Sequence, residues 1–186
     1  MDEVSCEVRY AAEGPYPPAE VEGKNRQYAQ AIGSNVGGSA SEMSAVARYF
    51  YSHVTLVGCE EVADCLMRIA VVEMRHLDIF ARLARQLGED PRLWAVNRGG
   101  RRYWTPEYLR YPQRVDQVLR YALEEEKGTI QKYRQQMLWI RDNNVQANLQ
   151  RIIEDEEVHV KLLTDLLAAY GPNQDLDFGL QTKAIR

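Results

Sequence analysis

Two Glu-x-x-His pairs, Glu73-Met-Arg-His76 and Glu156-Glu-Val-His159, are the residues of this chain best suited to chemistry. A carboxylate and an imidazole three residues apart share one face of a helix, and both are ligands for divalent cations. The surrounding residues indicate that this face looks inward. Val145, Leu149, Ile152, Glu156, His159, Leu163, Leu166 and Tyr170 recur at steps of 4, 3, 4, 3, 4, 3 and 4, the stripe of a core-facing helix. Val62, Leu66, Ile69, Glu73, His76, Phe80, Leu83 and Leu87 repeat those steps. A carboxylate on such a stripe is costly to bury unless something neutralises it.

The elements that position these pairs follow from periodicity and punctuation. Residues 1–22 hold Gly14-Pro15-Tyr16-Pro17-Pro18, which excludes helix and predicts an extended arm, packed on the surface or mobile. A bundle spans 23–171. Its first helix is expected from about Asn25 to Val57, weakened by Gly33, Gly37 and Gly38. The second runs from Glu60 to about Leu87 and stops at Gly88. Residues 89–113 contain Asp90-Pro91, Gly99-Gly100 and Pro112, the punctuation of a long crossover. Within it, Thr105-Pro106-Glu107 predicts one short helix, and the aromatics are expected to pack on the bundle. A third helix covers about Gln113 to Ile140, with Glu126, Ile130 and Tyr133 inward. Arg141 to Asn144 turns the chain and caps the fourth helix. Gly171-Pro172 ends that helix before a polar tail, 172–186.

The four helices form an internal repeat. At an offset of 83, Val62, Leu66, Ile69, Glu73 and His76 align with Val145, Leu149, Ile152, Glu156 and His159. At an offset of 84, Glu42, Val46, Tyr49 and Leu56 align with Glu126, Ile130, Tyr133 and Ile140. Glu42 and Glu73 are equidistant from the first turn, and Glu126 and Glu156 from the second. Two antiparallel hairpins therefore bring Glu42, Glu73, His76, Glu126, Glu156 and His159 to one layer of an all-α four-helix bundle.

Such a layer is a site for two metal ions. Its four carboxylates carry −4, which two divalent cations balance, and ligands of oxygen and nitrogen without thiolate suit iron or manganese. Glu73 and Glu156 are placed to bridge the ions. Glu42 and Glu126 each serve one ion, as do His76 and His159. Six protein ligands leave positions open for dioxygen or peroxide. Tyr49 and Tyr133 follow Glu42 and Glu126 by seven residues, about 10.5 Å along a helix. Helical side chains lean toward the N-terminus, so both phenols can reach back to the layer as hydrogen-bond or electron donors. Asp155 is a candidate to orient a histidine, although its repeat counterpart is Val72. Glu124, Glu125 and Glu157 are expected in solvent, and His53 near a bundle end.

Composition excludes several other classes. A net charge of −4 over 186 residues does not favour nucleic acid or anionic membranes. No run of 18 apolar residues and no signal-like start are seen. Cys6, Cys59 and Cys65 form no C-x-x-C pair, which fits thiols in a reducing cytoplasm.

Over residues 25–170 the chain resembles the ferritin-like superfamily, in its rubrerythrin and bacterioferritin branch and the related manganese catalases. The motifs that carry the resemblance are Glu42…Glu73-Met-Arg-His76 and Glu126…Glu156-Glu-Val-His159, with Tyr49 and Tyr133 at +7. It implies a carboxylate-bridged di-iron or di-manganese site, reaction with hydrogen peroxide or dioxygen, and a homo-oligomer, dimer or larger. Rubrerythrins carry a rubredoxin domain with paired C-x-x-C motifs, absent from this sequence, so electrons would come from a separate protein. They also carry a glutamate where Thr129 stands here. Met74 follows Glu73 as a haem-ligating methionine does in bacterioferritins, but it lies off the core stripe, and haem is not expected. The resemblance leaves three further readings besides peroxide or dioxygen reduction: manganese catalase-type dismutation, a ferroxidase that handles iron, and a structural component that keeps the metal layer for stability.

Overall fold

The structure is a computed structural model and describes residues 8–97 and 99–171; the tail from 172 on and the first seven residues of the arm lie outside this range. Five α-helices, α1 (Arg26–Gly37), α2 (Glu42–Thr55), α3 (Glu60–Leu87), α4 (Val115–Met137) and α5 (Asn143–Tyr170), form a four-helix bundle. In it α1 and α2 together occupy one helical position. They run antiparallel to α3, and α4 pairs with α5. These are the two hairpins that the repeat predicts. Asp142 caps α5, its side chain accepting from the amides of Asn144 and Val145.

One expected helix is in fact two. The Asn25–Val57 helix breaks after Gly37 and restarts at Glu42. A short antiparallel hairpin in the crossover, β1 (Trp94–Asn97) paired with β2 (Gly100–Tyr103), explains the break. Its backbone lies against the end of α1 so closely that a Cβ on Gly37 would sit 2.3 Å from the Trp94 nitrogen and 2.5 Å from the Leu93 carbonyl carbon. Only glycine permits that approach. Beyond the break the Ser41 hydroxyl caps α2 by accepting from the Ser44 amide. Glu42 thus becomes the first residue of a helix, where aligned peptide dipoles favour a carboxylate.

The hairpin was not anticipated; only the one-turn 3-10 helix Pro106–Tyr108, capped by Thr105, was. Trp104 ties the crossover to α2 by donating from Nε1 to Ser44 Oγ at 3.0 Å, and Tyr111 packs edge-on against Tyr51. Tyr103 instead remains 61% exposed.

The apolar stripes fill two separate clusters. Leu66, Ile69, Leu119 and Leu163 belong to the one near the α2–α3 turn. Phe80, Leu83, Leu149 and Ile152 belong to the other. Between them lies the carboxylate and histidine layer. Leu66 and Leu149 are both fully buried, one in each cluster. Truncating either to alanine is expected to cost about 2–5 kcal/mol, read by urea unfolding of the metal-free protein. A cost below ~1 kcal/mol in either would contradict this packing.

Candidate metal centre

Four helices deliver six side chains to the mid-bundle layer. Glu42 comes from the first turn of α2, Glu73 and His76 from α3, Glu126 from α4, and Glu156 and His159 from α5. All six are 0–1% exposed. They form two groups whose ligand atoms lie within 4.8 Å of one another: Glu42, Glu73, His76 and Glu156, and Glu73, Glu126, Glu156 and His159. Glu73 and Glu156 belong to both groups, so each is within reach of both candidate positions. His53 joins neither; its Nδ1 lies 2.9 Å from the Ala63 carbonyl.

Both histidines turn Nδ1 inward. His76 Nδ1 is 3.3 Å from Glu73 Oε2 and 3.3 Å from Glu156 Oε1. His159 Nδ1 is 3.1 Å from Glu73 Oε1 and 3.1 Å from Glu156 Oε2. The outward nitrogens have different partners. His76 Nε2 meets Asp155 Oδ2 at 2.9 Å, and His159 Nε2 meets the Tyr10 carbonyl at 3.0 Å. An Nε2–H donated outward leaves the Nδ1 lone pair for a cation. Asp155 does orient a histidine, but the one across the bundle on α3 rather than its neighbour on α5. It also accepts from Tyr16 OH at 2.6 Å, from the Ala12 amide at 2.7 Å and from the Arg151 guanidinium. The arm is thus more than a surface segment, since residues 10–16 cover the histidine side of the layer.

The tyrosines reach the layer as their spacing predicts, but across the bundle. Tyr49 of α2 donates to Glu126 of α4, and Tyr133 of α4 donates to Glu42 of α2. A residue missed from the sequence lies beside them. Arg48 is 5% exposed, with Nη1 3.3 Å from Glu125 Oε2 and Nη2 3.8 Å from Glu126 Oε1. Its guanidinium stacks over Tyr49 and Tyr121. Glu125, expected in solvent, is therefore half-buried and paired. Ser41, Ala45, Arg48 and Ser52 do share helical spacing, but such small and polar residues make no apolar stripe. Glu124 and Glu157 are exposed as expected, each paired with a surface arginine.

Residues 38–176 match the family model described as rubrerythrin. The chain belongs to the rubrerythrin family. Searching curated protein sequences finds no match. Among solved structures, the manganese catalase KatB from Anabaena superimposes with a TM-score of 0.77 at 22% identity, over 90% of this chain and 83% of that one. The bacterioferritin of Rhodobacter capsulatus gives 0.68 at 20% identity over 80% and 88% of the two chains. That of Desulfovibrio desulfuricans gives 0.63 at 20% identity over 86% and 95%. At these identities the superpositions establish the ferritin-like fold. Family and clustered side chains together make this a dimetal-carboxylate protein of the rubrerythrin family.

The electrostatics of this rubrerythrin-family centre fit two divalent cations. Burial, reinforced by Glu73 and Glu156, pushes Glu42 well above the usual carboxylate range. Burial and the same two neighbours do likewise to Glu126. Burial also raises Glu73, but hydrogen bonds from His159 and His76 outweigh it and hold this carboxyl well below its ordinary value. Both imidazoles are lowered by burial. Asp155, Glu156 and Glu73 more than reverse this for His76, and Glu156 and Glu73 do so for His159. In the metal-free layer, burial and the neighbouring carboxylates thus favour protons on Glu42, Glu126 and both imidazoles. The two shared carboxylates are instead held there by the imidazole Nδ1 atoms at 3.1–3.3 Å, a role that divalent cations can take over.

A titration should expose this exchange. Cation binding displaces protons from His76 and His159, and from Glu42 and Glu126 where they hold them. Metal affinity therefore falls as pH falls. Adding Mn(II) to weakly buffered metal-free protein near pH 7 is expected to release protons, read with an indicator dye. Stoichiometric metal uptake with no proton release would contradict these protonation states.

Proposed function

We propose that this protein is a dimetal oxidoreductase that reduces hydrogen peroxide or dioxygen, with Glu42, Glu73, His76, Glu126, Glu156 and His159 holding two iron or manganese ions. The observation that carries the reading is the pair of four-residue ligand groups sharing Glu73 and Glu156. When bound, such a metal pair supplies two electrons together, enough to cleave an O–O bond without releasing a radical. The protein residues have separate tasks. Glu73 and Glu156, common to both groups, would be shared between the two ions. Each imidazole would offer Nδ1 to one ion, with Nε2 held from outside by Asp155 or by the Tyr10 carbonyl. Tyr10, Ala12 and Tyr16 close the side of the layer carried by α3 and α5, and α2 and α4 carry the other side. There Tyr49 and Tyr133 orient the terminal carboxylates and carry hydroxyl protons next to the reacting space. Arg48 adds a fixed positive charge beside Glu126.

Manganese catalase-type dismutation is the second reading. It is favoured by the superposition on KatB and by Thr129, which stands where a rubrerythrin-type extra glutamate would sit. A homo-oligomer fits Phe50, Val54 and Val57, exposed apolar residues at helical spacing along and just beyond α2. A separate electron donor and a reducing cytoplasm fit a chain whose Cys59 and Cys65 are free and buried. Among the described residues no helix is long and apolar enough to cross a membrane.

Stopped-flow mixing of the reduced di-iron protein with hydrogen peroxide and with air-saturated buffer tests the proposal. Faster oxidation by peroxide supports a peroxidase. Sustained oxygen evolution by the manganese form supports dismutation. A shell of many subunits storing hundreds of iron atoms would overturn both in favour of iron handling.

A further inference from the structure

The two histidines are held from outside by different means. In the sequence repeat Asp155 corresponds to Val72, so α5 supplies a carboxylate to His76 while α3 has none to offer His159. The arm fills the gap with the Tyr10 carbonyl, 3.0 Å from His159 Nε2. The same few residues also brace the other histidine. The Ala12 amide and the Tyr16 hydroxyl hold Asp155 at 2.7 and 2.6 Å. Arg151, 7% exposed, holds the arm in turn, with Nη2 donating to the Ala12 carbonyl at 2.8 Å and the Gly14 carbonyl at 3.3 Å. Tyr16 is clamped between Arg151 and Arg75, whose guanidiniums lie 4.4 and 5.5 Å from its ring centre, and its ring meets His76 edge-on.

We propose that the segment Tyr10–Tyr16 is a positioning strap whose docking is linked to metal loading, and that it supports the Glu126/His159 ion more than the Glu42/His76 ion. The inference rests on the dimetal reading above. Its physical basis is orientation: a metal-binding imidazole needs its second nitrogen fixed, and loss of that partner typically weakens metal binding about 10–100-fold. His76 keeps Asp155 and Arg151 when the arm leaves. His159 keeps nothing, because its partner is a backbone atom of the arm itself. Linkage is reciprocal, so whatever factor the docked strap adds to metal affinity, bound metal adds to strap docking.

Gly14 offers a clean way to disturb the strap. It is exposed, its φ is +94°, and a Cβ there would meet nothing within 4 Å. Gly14→Val therefore acts through backbone strain alone. Tyr16→Phe removes only the hydroxyl that holds Asp155. Both variants are made in the full chain, stripped of metal, checked for wild-type helix content, and titrated with Mn(II) by calorimetry. Hydrogen exchange of the Ala12 amide is followed with and without Mn(II). In the wild type, Mn(II) is expected to slow that exchange. In Gly14→Val, one of the two binding steps is expected to weaken about 10–100-fold and the other by less, with a smaller loss in Tyr16→Phe. Two Mn(II) per chain bound with unchanged affinities in Gly14→Val, together with Ala12 exchange indifferent to metal, would overturn the strap and leave the dimetal reading standing. A wild-type chain that takes up neither manganese nor iron would overturn both.

Discussion

Glu156→Ala is expected to empty both halves of the centre, whereas Glu126→Ala empties one. Glu156 is completely buried and belongs to both ligand groups; Glu126 belongs to a single group. Removing Glu156 takes a ligand from each ion and also a negative charge from between them. Two unit charges about 4 Å apart repel by ~4 kcal/mol at an effective dielectric near 20, and two dications by about four times as much. The shared carboxylates offset that repulsion, so the second ion is not retained without them. Elemental analysis of protein purified from iron- or manganese-rich medium should find roughly one ion per chain in Glu126→Ala. In Glu156→Ala it should find less than about a tenth of the wild-type content, a loss equivalent to ~1.4 kcal/mol or more per site. Far-UV circular dichroism should be unchanged in both. Undiminished metal in Glu156→Ala would refute the bridging assignment.

Asp155→Ala should produce the largest loss of stability among the residues around the layer. The carboxylate is 0% exposed and receives Arg151, Tyr16, the Ala12 amide and His76. Deleting it strands the nearly buried Arg151 without a counter-charge. Breaking a buried pair in this way costs about 3–5 kcal/mol, measurable by urea unfolding of the metal-free protein. The pH dependence has a definite sign. Burial raises this carboxyl, but His76, Tyr16 and Arg151 outweigh it and hold its pKa at about 2 against an ordinary 3.8. A folded-state pKa below the unfolded one means that the stabilisation is fully present above pH 3.8 and is lost as pH falls toward 2. Asp155→Asn should therefore flatten the stability curve between those limits. An unaltered slope there would show that Asp155 is not held in this network.

The six ligand candidates were legible because burial and chemistry leave a joint signature: a carboxylate or imidazole on an apolar helix stripe, repeated at offsets of 83 and 84. The heights of the two hairpins followed from residue counting alone. The break in the first helix was not legible, since its cause is the backbone of residues 93–94 pressing on Gly37 from about 56 positions away. Gly37 read only as a weak helix former. The β-hairpin showed its turn residues but not its strands, which are four residues each and mostly exposed. Arg48 was hidden by its type, because a charged residue among serines and alanines reads as surface. The role of the arm was the least visible, because the atom that meets His159 is a carbonyl, which every residue has.

The crossed tyrosines bear on the ancestry of the bundle. Each hairpin holds the phenol that the other's terminal glutamate requires, so neither half is complete alone. Residue i of one half contacts residue j of the other, and j of the first contacts i of the second. That is the isologous pattern of a two-fold dimer, preserved inside one polypeptide and joined through the crossover. Its pseudo-axis passes between the two shared glutamates, and the arm breaks the symmetry. Two chemically matched half-sites are thereby made unequal, one histidine leaning on a carboxylate and the other on a peptide oxygen.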